Sequence, residues 1–134
     1  MLIEEPLASW MLLIGRTLLA SVFLVSGIHK AVRYELAVSE FERDQVPLIP
    51  VTLPGTILLH LIASICIIVG YQTGIAALLL AVFTVVATLK VHAFWRLPED
   101  QRLPRSRITN ANMCIVGGLL ILMATGPGAI ALAP

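Results

Sequence analysis

The chain has 134 residues, of which 58% are hydrophobic and 13% are charged, and its formal net charge is +1. Soluble domains average about 25% charged residues, and so short a chain could not bury this much apolar side chain in a soluble fold. A disordered chain would need low hydrophobicity, and a nucleic-acid binder would need clustered basic charge, so both classes are excluded. The composition therefore predicts an integral membrane protein with one domain.

Four apolar stretches approach the length of about 20 residues that a helix needs to cross a bilayer. They cover residues 7–28, 51–70, 74–92 and 111–124. The fourth is short, which a tilt or a locally thin bilayer would accommodate. No stretch alternates with the period of a β-strand. The sequence thus predicts an all-α, polytopic membrane protein, in which residues 1–134 form a single domain, a four-transmembrane-helix bundle.

The connections between these spans predict a compact bundle. Only residues 71–73 separate spans two and three, which must therefore form an antiparallel hairpin. Between spans one and two, residues 35–44 mix apolar with charged side chains and predict a short interfacial helix. Between spans three and four, residues 96–107 include Pro98 and Pro104 and predict an extended basic loop.

The charge distribution predicts the orientation of the chain. Glu4 and Glu5 stand where a signal peptide carries basic residues, so we expect the first span to be retained. By the positive-inside rule, both long loops are cytoplasmic and both termini are external, in a cytoplasmic (inner) membrane. The residues that give this bias are Lys30, Arg33, Arg43, Arg96, Arg102, Arg105 and Arg107.

Arg16 lies inside span one, about 9 Å below Trp10 at 1.5 Å per residue. An arginine at mid-membrane costs roughly 2.5–3.5 kcal/mol, so it must snorkel or be paired. Its side chain either reaches a lipid phosphate beside Trp10 or faces the bundle or a partner protein. The second interpretation is favoured by a helical face that consists of Arg16, Ala20, Phe23, Gly27 and Lys30. Since the spans contain no Asp or Glu, a partner would supply the counter-ion.

His60 lies near the middle of span two, at a depth comparable to that of Arg16. We expect a neutral imidazole that is hydrogen-bonded to Ser64 or to a carbonyl on another helix. A proton relay or a hydrogen bond to a quinone carbonyl is the alternative role for this side chain.

A second polar group gathers at the predicted cytoplasmic ends of the spans. This cluster could bind an anionic lipid head or a quinone carbonyl. Ordinary interfacial anchoring is the alternative. Its members are Lys30, Lys90, His92 and Asn112.

Small residues in the spans predict close approach of helices, above all Gly27, Gly117 and Gly118. Cys66 and Cys114 are expected near opposite ends of the bundle, too far apart for a disulfide, whose Cα atoms lie within about 7 Å. The three histidines fall on separate helices at different depths, so we predict no metal site.

Several segments share an order and spacing with one known family. They are Arg16–Ala20, Phe23, Ser26–Lys30, Val46-Pro47, Ala76–Leu80, His92–Trp95, Asn112, Gly117-Gly118 and Gly126–Gly128. Together they resemble the DoxX family of small four-helix membrane proteins over nearly the whole chain. The family usually carries an acidic residue at the position of His60, where it would face the arginine at the position of Arg16.

The resemblance implies either a quinone-linked role in sulfur oxidation or an accessory role beside redox proteins. The sequence shows no nucleophile–base pair, phosphate loop or carboxylate pair that would suggest independent catalysis. We therefore predict a non-catalytic accessory subunit that packs against a larger membrane assembly, such as a redox complex, or against further copies of itself. The alternative is a quinone-interacting membrane subunit of an oxidoreductase, of the thiosulfate:quinone type. Membrane lipids are expected partners, and nucleic acid is not.

Overall fold

A computed structural model describes residues 4–91 and 98–132, and these residues form an all-helical fold. The helices are α1 (Glu5–Val32), α2 (Tyr34–Arg43), α3 (Ile49–Val69), α4 (Thr73–Val91) and α5 (Glu99–Thr125). Within the described ranges, α1, α3, α4 and α5 are long and apolar enough to cross a membrane. The predicted all-α fold with four long apolar helices is thereby confirmed, and α2 corresponds to the short helix expected between spans one and two.

The boundaries of α3 follow from local backbone chemistry. A proline occupies its first turn, where no intrahelical N–H partner is needed. The helix ends at Gly70, whose φ of +78° is readily adopted only by glycine. The N–H groups of Gly70 and Tyr71 both donate to the carbonyl of Cys66 at 2.9 Å, which satisfies the last turn. Because α4 begins at Thr73, α3 and α4 form the expected tight hairpin.

The bundle is arranged as a sequence of neighbouring helices: α1 packs on α3, α3 on α4, and α4 on α5. We call the end that holds the α3–α4 turn the turn end, and the opposite end, where α2 packs on α1 and α3, the α2 end. Small residues fill the centre of the bundle, including Ala20, Ala63 and Ala77. Large apolar side chains point outward along all four long helices, as in a protein surrounded by lipid.

The extended loop expected at residues 96–107 is wrong over its described part, because α5 already begins at Glu99. Pro98 is the N-cap of α5, a position that needs no intrahelical N–H, and Glu99 and Asp100 complement the positive end of the helix dipole. Pro104 is accommodated inside the helix. The apolar part of α5 covers Ser106–Thr125, so span four is longer than expected.

After α5, the segment 126–132 folds back across the turn end of the bundle. The N–H of Leu132 donates to the carbonyl of Val69 at 2.8 Å, which ties this segment to the last turn of α3. Gly128, with a φ of +91°, lies against Leu12 of α1: a Cβ there would come within 3.0 Å of that side chain. The C-terminal segment therefore contacts both α1 and α3.

Candidate functional site

Arg16 is buried in the bundle, with 3% of its surface exposed. Its Nη1 donates to the carbonyl of Pro127 at 2.6 Å, and its Nη2 donates to the carbonyls of Ile130 at 2.5 Å and Ile68 at 3.1 Å. Its Nε also donates to Ile68 O, at 3.4 Å. The side chain thus faces the bundle and not a lipid phosphate.

These bonds give Arg16 hydrogen-bond acceptors within its own chain, whereas the sequence predicts a counter-ion from a partner protein. Ile68 lies in the last turn of α3, where the carbonyl ends of the helix dipole favour a cation. The other acceptors are carbonyls of the C-terminal segment. Although no carboxylate is involved, the hydrogen-bonding capacity of the guanidinium is largely met within this chain. Within the described structure, Arg16 is therefore held by carbonyls of its own chain.

Arg16 and His60 are not at a comparable depth. Arg16 bonds to the backbone of Ile68, which follows His60 by eight residues, or about 12 Å along a helix. The long arginine side chain extends toward the turn end, whereas His60 stays in the middle of α3. The two residues therefore belong to different sites.

His60 is buried, with 4% of its surface exposed, yet neither ring nitrogen has a hydrogen-bond partner among the described residues. The expected bond from the imidazole to Ser64 is wrong: the Ser64 hydroxyl donates to the backbone carbonyl of His60 at 2.5 Å. The ring is held instead by two aromatic neighbours. Its centroid lies 5.4 Å from that of Phe23 and 4.7 Å from that of Phe83, with both pairs edge to face.

The imidazole lines a cavity of about 540 Å³ between the helices, which we call the His60 cavity. Apolar side chains, including Phe23 and Phe83, share its lining with the hydroxyls of Thr56 and Thr84. Toward the α2 end its lining becomes charged. The charged members are Lys30, Glu40, Arg43 and Asp44, two of each sign. The cavity thus combines apolar and uncharged polar side chains between the helices with charged side chains at the α2 end.

Two further residues singled out by sequence, Lys30 and Asn112, line the same cavity. The Lys30 ammonium donates to Ser26 Oγ, one turn earlier on α1, at 2.5 Å. The Asn112 side chain donates from Nδ2 to Thr88 Oγ1 at 3.1 Å and so joins α5 to α4. The structure therefore brings His60, Lys30 and Asn112 together around one space.

The remaining candidates lie elsewhere. Lys90 is exposed and lines a different, mainly apolar cavity between α2, α3 and α4. His92 lies outside the described residues. Gly27 packs tightly on α3, since a Cβ there would come within 3.1 Å of the His60 Cβ. Gly118 faces Leu19 of α1 at 3.4 Å, but a Cβ at Gly117 would meet no atom within 4 Å.

Helix α4 contributes side chains to the site that the sequence did not single out. Phe83 and Thr84 line the His60 cavity, and Thr88 accepts the hydrogen bond from Asn112. Thr88 and Thr84 donate to carbonyls one turn earlier on their own helix, at 2.6 and 2.7 Å. Three threonines on α4 are buried, at positions 73, 84 and 88. In the sequence, the signal for this face is the spacing of these threonines within an otherwise apolar span.

The cavity can hold a ligand with an apolar body and a small polar group. An uncharged imidazole offers one N–H donor and one acceptor nitrogen, and both are free of protein partners in the described structure. The volume lies in the range of about 300–1,000 Å³ that is typical of small-molecule sites. In residues 4–91 and 98–132, no group of three or more His, Cys, Asp or Glu side chains could hold a metal ion.

Comparison with known proteins identifies the family. The DoxX family profile matches residues 11–93, more than half of the chain. The chain belongs to the DoxX family. The match includes Arg16, His60 and the whole of α3, so the DoxX region contains the parts of α1, α3 and α4 that surround the His60 cavity.

Curated relatives of this DoxX protein include two inner membrane proteins of Escherichia coli. YphA is 27% identical over 91% of this chain and 87% of its own length, and YqjF is 31% identical over 87% of this chain and 85% of its own length. A Surfeit locus protein 4 homolog of Drosophila melanogaster is 28% identical over 96% of this chain, which spans only 42% of that relative. No solved structure matches significantly. The DoxX protein described here is thus a multi-pass membrane protein.

Proposed function

We propose that this chain is a membrane subunit that binds the head group of a lipid-soluble quinone in the His60 cavity. The observation that carries this proposal is the buried imidazole, which lacks a protein hydrogen-bond partner in the described structure and borders about 540 Å³ of space. A buried polar group without a partner costs about 1–3 kcal/mol, so the imidazole favours a ligand or water in the adjoining cavity that completes its hydrogen bonds.

The chemistry of the imidazole fits both redox forms of a quinone. Its N–H donates to a carbonyl oxygen of the oxidised form, and its unprotonated nitrogen accepts from a hydroxyl of the reduced form. Burial favours the uncharged ring that this double role requires. Lys30 and Asn112 are further donors around the same space and would bind a second ring oxygen. When bound, a quinone supplies the transfer of electrons coupled to protons.

The aromatic neighbours of His60 support the recognition of a flat ring. Phe23 and Phe83 meet the imidazole with interplanar angles of 72° and 86°, which fixes its orientation from two helices. Aromatic side chains also favour offset or edge contacts with a planar ligand. The DoxX family relationship adds to this support, because the resemblance noted in the sequence implies quinone-linked chemistry for some members.

An accessory subunit that only packs against a larger assembly is the less favoured function. Its main support was an arginine without an internal partner, and Arg16 bonds to three carbonyls of this chain. A redox complex could still be the setting in which this chain binds quinone. In that case the accessory role and the quinone role describe the same subunit.

The test is a binding titration on the full chain in lipid nanodiscs, with a ubiquinone analogue that has a short alkyl tail. We expect saturable binding, weakened about tenfold by His60→Leu, which corresponds to about 1.4 kcal/mol. His60→Gln keeps a donor and an acceptor and should stay within about threefold of the wild type. Ser21→Ala is the matched control, since the Ser21 hydroxyl bonds within α1, to the carbonyl of Leu18, and Ser21 does not line the His60 cavity among the described residues.

Stability separates a binding role from a structural one in the same variants. Because His60→Leu replaces an unpartnered buried polar group by an apolar one, its free energy of unfolding should be unchanged or raised by about 1 kcal/mol. A purely structural histidine would instead lower stability when replaced. Absence of saturable binding by the wild type, or equal affinity of His60→Leu and wild type, would contradict the proposal.

We also propose that the α2 end faces the cytoplasm, on the strength of the basic residues of its loops. Labelling of Ser39→Cys on the exposed face of α2, in a background without Cys66 and Cys114, tests this. An impermeant thiol reagent should react only after the membrane is opened. Reaction in intact cells would show the opposite orientation.

A further inference from the structure

The contact between α1 and α5 is much narrower than those of the other neighbouring long helices. The two helices approach closely at Gly118, where a Cβ would lie 3.4 Å from the Leu19 side chain. We call this boundary the α1–α5 seam. It is lined by Leu19 and Val22 on α1 and by Ile108, Ile115 and Gly118 on α5.

Cavities lie on both sides of the Leu19–Gly118 contact. Toward the α2 end, Val22 and Ile115 belong to the lining of the His60 cavity. Toward the turn end, a second cavity of about 290 Å³ is lined by residues of the same two helices, including Leu19, Gly118 and Ile121. The seam is therefore a groove along the bundle with one narrow point.

The groove also opens to the outer surface. Val22 is 49% exposed and Ile108 is 41% exposed, and both line the His60 cavity. On the other side of the narrow point, Ile121 is 65% exposed and lines the second cavity. Side chains that border a cavity and the outer face at once form a thin wall. In a membrane, this wall separates the cavity from lipid tails.

The charges around the His60 cavity make the seam a better passage for an apolar group than the α2 end. At the α2 end the cavity is bordered by Lys30, Glu40, Arg43 and Asp44, whose hydration an apolar chain would disturb. The seam side is bordered by Val22, Ile108 and Ile115. A cavity of about 540 Å³ holds a molecule of drug size, so a long hydrocarbon tail must extend beyond it.

We infer that the α1–α5 seam is a lateral portal, through which the ligand enters from the bilayer and in which its tail stays when the head group lies at His60. This inference rests on the proposed function and narrows its ligand class. The ligand is a membrane lipid with a compact hydrogen-bonding ring and a long apolar tail, drawn from the bilayer and not from water.

The test compares two quinone analogues, one short-tailed and one long-tailed, on a variant with a narrowed seam. Val22→Trp places a large ring at the portal, and Val25→Trp is its matched control, since Val25 is 53% exposed on the same helix. We expect Val22→Trp to weaken binding of the long-tailed analogue about tenfold and binding of the short-tailed analogue less than about threefold. Val25→Trp should change neither. Ile108→Trp narrows the portal from α5 and keeps the test valid if Val22→Trp misfolds.

The outcomes distinguish this inference from the proposed function. If the wild type binds neither analogue, the proposed function fails and the portal fails with it. If the wild type binds both with the expected dependence on His60, but the portal variants match Val25→Trp, only the portal is overturned. Equally weakened binding of both analogues also overturns the portal, because the introduced ring then acts on the head group and not on the tail.

Discussion

The guanidinium of Arg16 donates a hydrogen bond of 2.6 Å to the carbonyl oxygen of Pro127, which lies 111 residues later in the chain. The same side chain bonds to Ile130 in the C-terminal segment and to Ile68 in α3. A cation that first suggests an external partner therefore joins three parts of its own fold. Because five N–H groups radiate from a planar fork, an arginine can hold carbonyls that diverge in this way.

Replacing Arg16 should release the C-terminal segment from the turn end. Arg16→Leu leaves the carbonyls of Pro127, Ile130 and Ile68 without their donor, and each hydrogen bond to a charged group contributes about 1.5–3 kcal/mol. Since removal of a buried charge offsets part of this loss, we expect the free energy of unfolding to fall by about 3 kcal/mol. Amide exchange should accelerate at Leu132, whose N–H bonds to Val69.

Two comparisons make the Arg16 experiment specific. Arg16→Lys keeps the charge but lacks the planar guanidinium. Its free energy of unfolding should therefore lie between those of the wild type and Arg16→Leu. Arg33→Leu removes an exposed arginine at the end of α1 and should change stability by less than about 0.5 kcal/mol. Unchanged exchange of the C-terminal amides in Arg16→Leu would show that the segment is held by other contacts.

Gly70 should tolerate no side chain. Its φ of +78° is strained for any L-residue, and a Cβ would overlap Ala131 and lie 2.9 Å from its Cα. We expect Gly70→Ala to lower the free energy of unfolding by roughly 1–2 kcal/mol and to displace the C-terminal segment. Gly74→Ala is the control, since its Cβ meets nothing within 4 Å and should leave stability unchanged or slightly raised. Equal stability of the two variants would contradict the contact with Ala131.

The spans and α2 could be predicted because their signals are local. Apolar length identifies the spans, and mixed charge followed by prolines identifies the short helix. The start of α5 is not predictable in this way, because Pro98 and Pro104 also indicate a loop. A proline at a helix N-terminus is as consistent with the beginning of a helix as with a loop, and local sequence did not decide between them.

The site was only partly predictable because half of it depends on packing. His60 was visible as a polar residue in an apolar span, and the face of Arg16, Ala20 and Phe23 was visible from helical spacing. The partners of Arg16 were not visible, because backbone carbonyls have no residue-type signal. Nor did the sequence indicate which face of α4 would meet α5, and so the role of Thr88 emerged only from the fold.

Close approach of α1 to α3 at Gly27 should be required for the shape of the His60 cavity. A Cβ at Gly27 would lie 3.0 Å from a methyl of Leu61 and 3.1 Å from the His60 Cβ. We expect Gly27→Leu to lower stability by roughly 1–3 kcal/mol, as overpacking does, and Gly27→Ala to have a smaller effect. Gly117→Ala should be neutral or stabilising by up to about 1 kcal/mol, because its Cβ has free space. Equal effects at both glycines would contradict the close approach.

The hydrogen bond from Asn112 to Thr88 should couple α5 to α4. The Thr88 hydroxyl donates its hydrogen to the Thr84 carbonyl on its own helix at 2.6 Å. Its oxygen accepts a hydrogen bond from Asn112 on α5 at 3.1 Å. In a double-mutant cycle with Asn112→Ala and Thr88→Val, we expect a coupling energy of about 0.6 kcal/mol, with an upper bound near 1.7 kcal/mol, as for other hydrogen bonds between membrane helices. The cycle is measured by reversible unfolding in bicelles.

A second cycle supplies the control for this coupling. Thr125 is exposed and bonds to the carbonyl of Ile121 at 3.0 Å, and it lies 13 residues after Asn112 on the same helix. Thr125→Val and Asn112→Ala should therefore be additive within about 0.3–0.5 kcal/mol. Additivity in both cycles would mean that the Asn112 amide does not hold α5 against α4. Coupling confined to the Thr88 cycle would identify this bond as one that fixes the α5 wall of the His60 cavity, since Asn112 lies on that wall.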